Sequence, residues 1–157
     1  MSQIDKIINV PGDGLCLFRS VLWSLRSVCP EQRIGVPWTP LTLRQACAVE
    51  MKTHPNRYIE FLNYTPSEFE RVIKNELEHG DWTGDIFDLV PKAISTVLCY
   101  SICIFFMNNG PSMYVYPHGH RDVTSTVAYI YYNGVNHYDT AEPSELHLLS
   151  EDEKCSN

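Results

Sequence analysis

Helix-period apolar patterns occupy the N-terminal two thirds of the chain and runs of β-branched and aromatic residues follow them, which predicts an α+β domain. Because the elements do not alternate regularly, a small, mostly antiparallel β-sheet packed between helices is expected in place of a doubly wound parallel one. With 44% hydrophobic and 20% charged residues, the 157-residue chain suits a single domain with its own core. That domain is expected over residues 1–149, with the polar segment 150–157 as a frayed tail. No internal repeat is visible.

The first helix is expected from Cys16 to about Leu25, where Leu17, Val21, Leu22 and Leu25 recur near helical spacing. Residues 27–40 are rich in Pro, Gly and charge and read as a loop. A second helix, started by Thr39-Pro40 or by Thr42 and running to about Thr53, would carry Leu43, Ala46, Cys47 and Met51 on its apolar face. Thr65-Pro66-Ser67-Glu68 has the form of a capping box with Pro at the first helical position, and Phe69, Val72, Ile73 and Leu77 follow at helical spacing. The stretch from Gly80 to Asp85 breaks that helix. Another is expected from Asp88 to about Leu98, with Asp88 as its cap and Pro91 in its first turn. Ser101 to Met107 is almost wholly apolar, as in a strand buried on both faces. Met113 to Tyr116 would be its hairpin partner across Asn108-Asn109-Gly110-Pro111, and Thr126 to Tyr132 a further strand ended by Asn133-Gly134.

Two short segments carry the chemistry. Pro11-Gly12-Asp13-Gly14-Leu15-Cys16 places a thiol where a turn gives way to a helix, and unpaired amides there stabilise a thiolate, moving a thiol pKa from roughly 8.5 toward ~4 to 7. Such a nucleophile needs a base oriented by a third group, and Asn136-His137-Tyr138-Asp139 supplies both. In an extended segment His137 and Asp139 face one way and Tyr138 the other, so Asp139 could orient the imidazole while Tyr138 anchors the strand. Asp13, if it faced the sulfur, would oppose the thiolate by like-charge repulsion. Its alternative use is a side-chain-bonded turn aiming the amides of Asp13, Gly14 and Cys16 at a developing oxyanion, and an ordinary Asp-Gly turn is the plainer reading.

Asp13-Gly14-Leu15-Cys16-Leu17-Phe18-Arg19-Ser20, the Gly80 to Leu89 segment around Trp82, and Asn136-His137-Tyr138-Asp139 together resemble the ovarian tumour (OTU) family of cysteine proteases. The resemblance implies a papain-like OTU fold and removal of ubiquitin, or a related modifier, by cleavage after its C-terminal Gly-Gly. It implies Cys16 as nucleophile, His137 as general base and acid, Asp139 as orienting residue, Asp13 as a member of the catalytic group, and the Asp13 to Cys16 backbone as oxyanion hole. No cofactor or metal is expected, and the partners are ubiquitin or polyubiquitin chains. The alternatives are a catalytically weak ubiquitin-binding module and a protease selective for another ubiquitin-like modifier. The segment Thr83-Gly84-Asp85 departs from the family, many of whose members carry a Gly-Gly-Glu type sequence there.

Other function classes are disfavoured. The formal charge is −7 with Lys and Arg scattered, so no basic stripe for nucleic acid is present. No apolar run approaches the roughly 18 residues of a membrane span. The chain is expected to be a cytoplasmic monomer, in the host cytosol if it comes from a pathogen. Cys29, Cys47, Cys99, Cys103 and Cys155 read as ordinary reduced thiols, buried or terminal, and His118-Gly119-His120 as an exposed hairpin loop. Trp82 reads as core packing, and Trp38, Tyr58, Phe61 and Tyr64 as core or an apolar patch for a protein partner.

Overall fold

The computed structural model describes residues 3–28, 38–78, 86, 88–107, 110–124 and 126–149. The expected loop after Val28, the break from Gly80 to Asp85 with Trp82, the side chain of Phe61, the turn at Asn108-Asn109, Cys29, Cys155 and the tail lie outside the described residues. The chain begins with strand β1 (Ile4–Ile8), which is followed by helices α1 (Cys16–Val28), α2 (Pro40–Thr53) and α3 (Pro66–Val72). Helix α3 runs on into a π-helical turn (Ile73–Glu78) that keeps Ile73 and Leu77 buried. Helix α4 (Val90–Leu98), strands β2 (Ser101–Phe106), β3 (Met113–Val115), β4 (Val127–Tyr132) and β5 (Tyr138–Pro143), and a short helix α5 at 145–149 complete it.

The five strands form one sheet in the order β1-β5-β4-β2-β3. Three of the four pairings are antiparallel and β2–β4 is parallel. This is an α+β fold with a mostly antiparallel sheet, as expected, but a strand precedes the helices. β1 pairs with β5, placing the chain's first element beside its last strand. Ile4–Ile8 is half exposed and has no clean alternation, so nothing local marks it as a strand.

Local chemistry explains the helix starts. Thr39 caps α2 with a reciprocal pair: its hydroxyl accepts from the Thr42 N–H at 3.1 Å and its own N–H donates to Thr42 Oγ1 at 2.9 Å. Pro40 occupies the first turn, where no amide is needed. Leu43, Cys47, Ala48 and Met51 are buried, so Ala48 takes the core place expected of the half-buried Ala46. Thr65 caps α3 by accepting from the Glu68 N–H at 3.2 Å. Helix α4 starts two residues later than expected and Asp88 does not cap it. The N–H groups of Leu89 and Val90 donate to the Ile86 carbonyl at 3.0 and 3.2 Å, so a preceding backbone turn satisfies the donors a side chain would have capped. The helix ends at Cys99, which has φ 60° and is exposed, contrary to the expectation of a buried thiol.

Strand alternation divides the apolar residues between two faces. Ile102, Ile104, Ala128, Ile130 and Tyr138 face the main core with α1, α2, α4 and the π-helical turn. Cys103, Phe105, Val127, Tyr129 and Ala141 face the other way. There α5 lowers His147 onto the Phe105 ring, centroids 4.9 Å apart, and Tyr114 Oη lies 2.8 Å from His147 Nε2. Cys103 Sγ is 3.9 Å from the same nitrogen, but it sits mid-strand and fully buried, without the helix N-terminus or the access that nucleophilic chemistry needs.

Candidate active site

Helix α1 lies across β4 and β5, and a seam of buried hydroxyls fixes its register. Ser20 Oγ donates to the Cys16 carbonyl at 2.7 Å, Thr140 Oγ1 donates to the Ser20 carbonyl at 2.9 Å, and the Tyr129 N–H donates to Ser24 Oγ at 2.7 Å. These three bonds explain why an otherwise apolar helix face carries serines. They also tie the residue that opens α1 to Thr140, the neighbour of Asp139. Leu17, Phe18 and Val21 fill the core below, so Cys16 sits at the end of a rigidly seated helix, 7% exposed.

His137 and Asp139 project together at the start of β5, and Tyr138 points the other way into the main core. His137 Nε2 lies 2.8 Å from Asp139 Oδ1, which also accepts the Val10 N–H at 3.0 Å. Asp139 is thereby held by the segment that leads from β1 toward Cys16. Nε2 is engaged by Asp139, and the other ring nitrogen, Nδ1, faces that same segment at Gly12, where a Cβ would stand 4.0 Å from it.

The sulfur of Cys16 meets the backbone N–H groups of Tyr138 and Leu17, so the two distant motifs come together at the thiol. Those amides favour the thiolate, but burial outweighs them and the Cys16 thiol lies above its ordinary value, with Asp13 and Asp139 adding smaller repulsions. This corrects the expectation of a thiol depressed by its helix N-terminus alone. A buried sulfur loses more solvation than two amides return, so the helix N-terminus by itself does not hold Cys16 as a thiolate.

Asp13 folds back on its own loop. Its Oδ1 accepts the Leu15 N–H at 3.1 Å, and the Arg19 guanidinium grips both oxygens, Nη2 to Oδ2 at 2.9 Å and Nε to each oxygen at 3.2 Å. Arg19 holds the Asp13 carboxyl below its ordinary value and offsets its charge near the sulfur. The Cys16 N–H donates to the Asp13 carbonyl at 3.2 Å, within the turn. Arg19, six residues on, was legible in sequence only as part of a motif, because its partner lies across a turn and a helical turn. Val10 gave no signal, since a backbone amide donates whatever its side chain.

His118 and His120 are exposed at a turn around Gly119, as expected, but the turn is not a hairpin loop, because the strands it connects, β3 and β4, lie on either side of β2 and do not pair. Tyr58 is core, and Trp38 and Tyr64 pack against it half-buried. Among the described residues no group of three or more His, Cys, Asp or Glu could hold a metal ion, no disulfide joins any of Cys16, Cys47, Cys99 and Cys103, and no helix is long and apolar enough to cross a membrane.

Comparison with solved structures gives the same fold. The viral OTU domain protease from Dera Ghazi Khan virus superposes with a TM-score of 0.58 at 15% identity, covering 92% of this chain and 86% of that one. An OTU deubiquitinase from Wolbachia pipientis wMel gives 0.58 at 19% identity, covering 93% and 95%. An ovarian tumour domain solved in complex with ubiquitin gives 0.63 at 18% identity, covering 92% and 77%. No curated protein matches by sequence. The model of the family described as OTU-like cysteine protease matches residues 11–139, from the turn before Cys16 to Asp139. Both ends of that match are the segments that meet at the thiol, and the chain belongs to the OTU-like cysteine protease family.

Proposed function

We propose that the protein is a deubiquitinating cysteine protease that hydrolyses isopeptide or peptide bonds at the C-terminus of ubiquitin through a thioester. The observation that carries this reading is that the Cys16 sulfur, at the N-terminus of α1, meets the amide of Tyr138, the residue between the paired His137 and Asp139. Family membership supplies the reaction class, and similar structures include an OTU deubiquitinase and an ovarian tumour domain bound to ubiquitin.

In this reading the Cys16 proton passes to His137 Nδ1, and the thiolate attacks the carbonyl carbon of the modifier's terminal glycine. The carbonyl π electrons move to oxygen. Amides of Asp13, Gly14 and Cys16 are the proposed donors to that oxyanion; the 3.2 Å bond from Cys16 N–H to the Asp13 carbonyl is long enough to yield to a charged acceptor. As the tetrahedral species collapses, the C–N bond breaks and His137 returns its proton to the leaving amine, leaving a thioester. Water, losing a proton to His137, then attacks the thioester, releases the carboxylate and restores the thiol. Asp139 keeps the imidazole in the tautomer and orientation both steps use. A free thiol of this kind requires a reducing compartment, which we take to be the cytosol, a host's if the source is a pathogen.

The raised thiol and the engaged Cys16 amide favour one second reading, a weakly active ubiquitin-binding module. Turnover of a fluorogenic ubiquitin C-terminal amide, with Cys16→Ala and His137→Ala as controls, separates the two. Saturable hydrolysis lost in both variants supports the protease, and binding without hydrolysis supports the module. Hydrolysis only of the equivalent substrate built on another ubiquitin-like modifier would redirect the specificity.

A further inference from the structure

We propose that Asn133 is a positioning residue for His137, fixing the base through the backbone of the β4–β5 connection; the inference rests on the thiol–imidazole reading of the site. Asn133 follows the last residue of β4, and its side-chain Oδ1 accepts three consecutive amides: Val135 N–H at 2.8 Å, Asn136 N–H at 3.0 Å and His137 N–H at 3.1 Å. Its own N–H donates to the His137 carbonyl at 3.0 Å. Both backbone groups of the base are therefore held by one residue. Tyr132 Oη adds a bond to the Val135 carbonyl at 2.9 Å, and Gly134, at φ 86°, makes the turn that brings the three amides onto one oxygen.

Packing gives this loop little support. Gly134, Val135 and Asn136 are exposed, and Val135, the loop's one aliphatic side chain, is 75% accessible. The strands on either side do not need the loop in this shape. They are held by the β4–β5 ladder and by the hydroxyl seam to α1, which involve residues outside 133–137. Loss of the Asn133 side chain should thus release the base while leaving the sheet intact. The acceptor requirement is also specific. A neutral amide oxygen offers two lone pairs to three donors, whereas a carboxylate at the same place has more acceptor capacity, so Asp can replace Asn133 and Ala cannot.

The test is alkylation of Cys16 by iodoacetamide across a pH series, read by mass on the Cys16 peptide because Cys99 is exposed and would also be labelled. Wild type, Asn133→Ala, Asn133→Asp and His137→Ala are compared, each shown folded by circular dichroism and Tm. Wild type should react at neutral pH well ahead of His137→Ala. Asn133→Ala should lose on the order of tenfold or more at pH 7 and move toward the His137→Ala profile, since displacing a catalytic group by about 1 Å costs up to ~100-fold. Asn133→Asp should restore the wild-type rate to within about threefold. A purely structural role would lower Tm without moving the pH profile. If Asn133→Ala does not fold, Asn133→Gln, whose carbonyl stands one methylene further out, takes its place with the same expected displacement. A wild-type profile in folded Asn133→Ala or Asn133→Gln, or failure of folded Asn133→Asp to recover, overturns the proposal. Identical profiles for wild type and His137→Ala overturn the thiol–imidazole pairing itself, and this inference with it.

Discussion

Removing the Asp139 carboxylate tests the site where its geometry is most explicit. One oxygen, Oδ1, serves both His137 Nε2 at 2.8 Å and the Val10 N–H at 3.0 Å, so Asp139→Ala breaks two bonds with one cut. A hydrogen bond to a charged group contributes about 1.5 to 3 kcal/mol. If that strength is realised as the imidazole gains its proton, kcat should fall roughly 10- to 100-fold at ~1.4 kcal/mol per decade, with KM little changed. Asp139 is also the smallest of the repulsions raising the Cys16 thiol, so its loss eases thiolate formation slightly; lost orientation outweighs that gain. The Val10 amide, half-buried, loses its acceptor at a cost of about 1 kcal/mol, or ~2 to 4 °C in Tm. Asp139→Asn keeps an oxygen in place for both donors and should lose only about 1 kcal/mol, or ~5-fold in kcat. Steady-state hydrolysis of a ubiquitin C-terminal amide reads the first effect and calorimetry the second. Wild-type kcat in Asp139→Ala, or an Asp139→Asn enzyme as impaired as the alanine variant, would refute the orientation argument.

Other perturbations probe separate links. In His137→Ala the Cys16 thiol should titrate above the ordinary thiol value, because burial then acts without a proton acceptor; alkylation would reach its plateau only at alkaline pH. Arg19→Ala should slow turnover several-fold by leaving the Asp13 charge unopposed near the sulfur, yet destabilise by less than about 1 kcal/mol because the pair is largely exposed. Since Arg19 lowers the Asp13 value, the pair's small stabilisation is complete above the ordinary carboxylate range and lost as pH falls through the folded value. The Tm difference between Arg19→Ala and wild type should therefore close in acid. Leu17→Ala, at a fully buried position beside Cys16, should cost about 2 to 5 kcal/mol, seen as a lower denaturant midpoint with an unchanged slope. Thr140→Val removes the donor to the Ser20 carbonyl and should cost about 1 kcal/mol, with a larger fractional loss of kcat than of stability if the seam sets the helix register.

The parts of this fold that were legible in sequence are those whose signals are local. Thr39-Pro40 and Thr65-Pro66 announced α2 and α3 because a cap and a proline satisfy the first turn without help from elsewhere. The apolar run from Ser101 to Met107 announced a buried strand, which ends at Phe106 and leaves Met107 exposed, and the i, i+2 relation of His137 to Asp139 announced their shared side. What stayed hidden depends on distant partners. β1 is a strand only because β5 pairs with it, and the parallel register of β2 on β4 is set across an intervening hairpin. Asp88 looked like a cap until the Ile86 carbonyl took the donors it would have served. The thiol shows the same limit in its energetics. The helix N-terminus was readable from the turn before Cys16, whereas the burial that outweighs it comes from residues scattered along the chain.

The central claim is that Cys16, served by His137, attacks the C-terminus of ubiquitin, and ubiquitin carrying an electrophile at that terminus tests it most directly. Wild type should form one covalent adduct, mapped by mass to the Cys16 peptide, with none on Cys16→Ala and slow labelling of His137→Ala. An adduct that persists in Cys16→Ala, or a folded wild type that binds ubiquitin yet leaves the electrophile untouched, would contradict the claim.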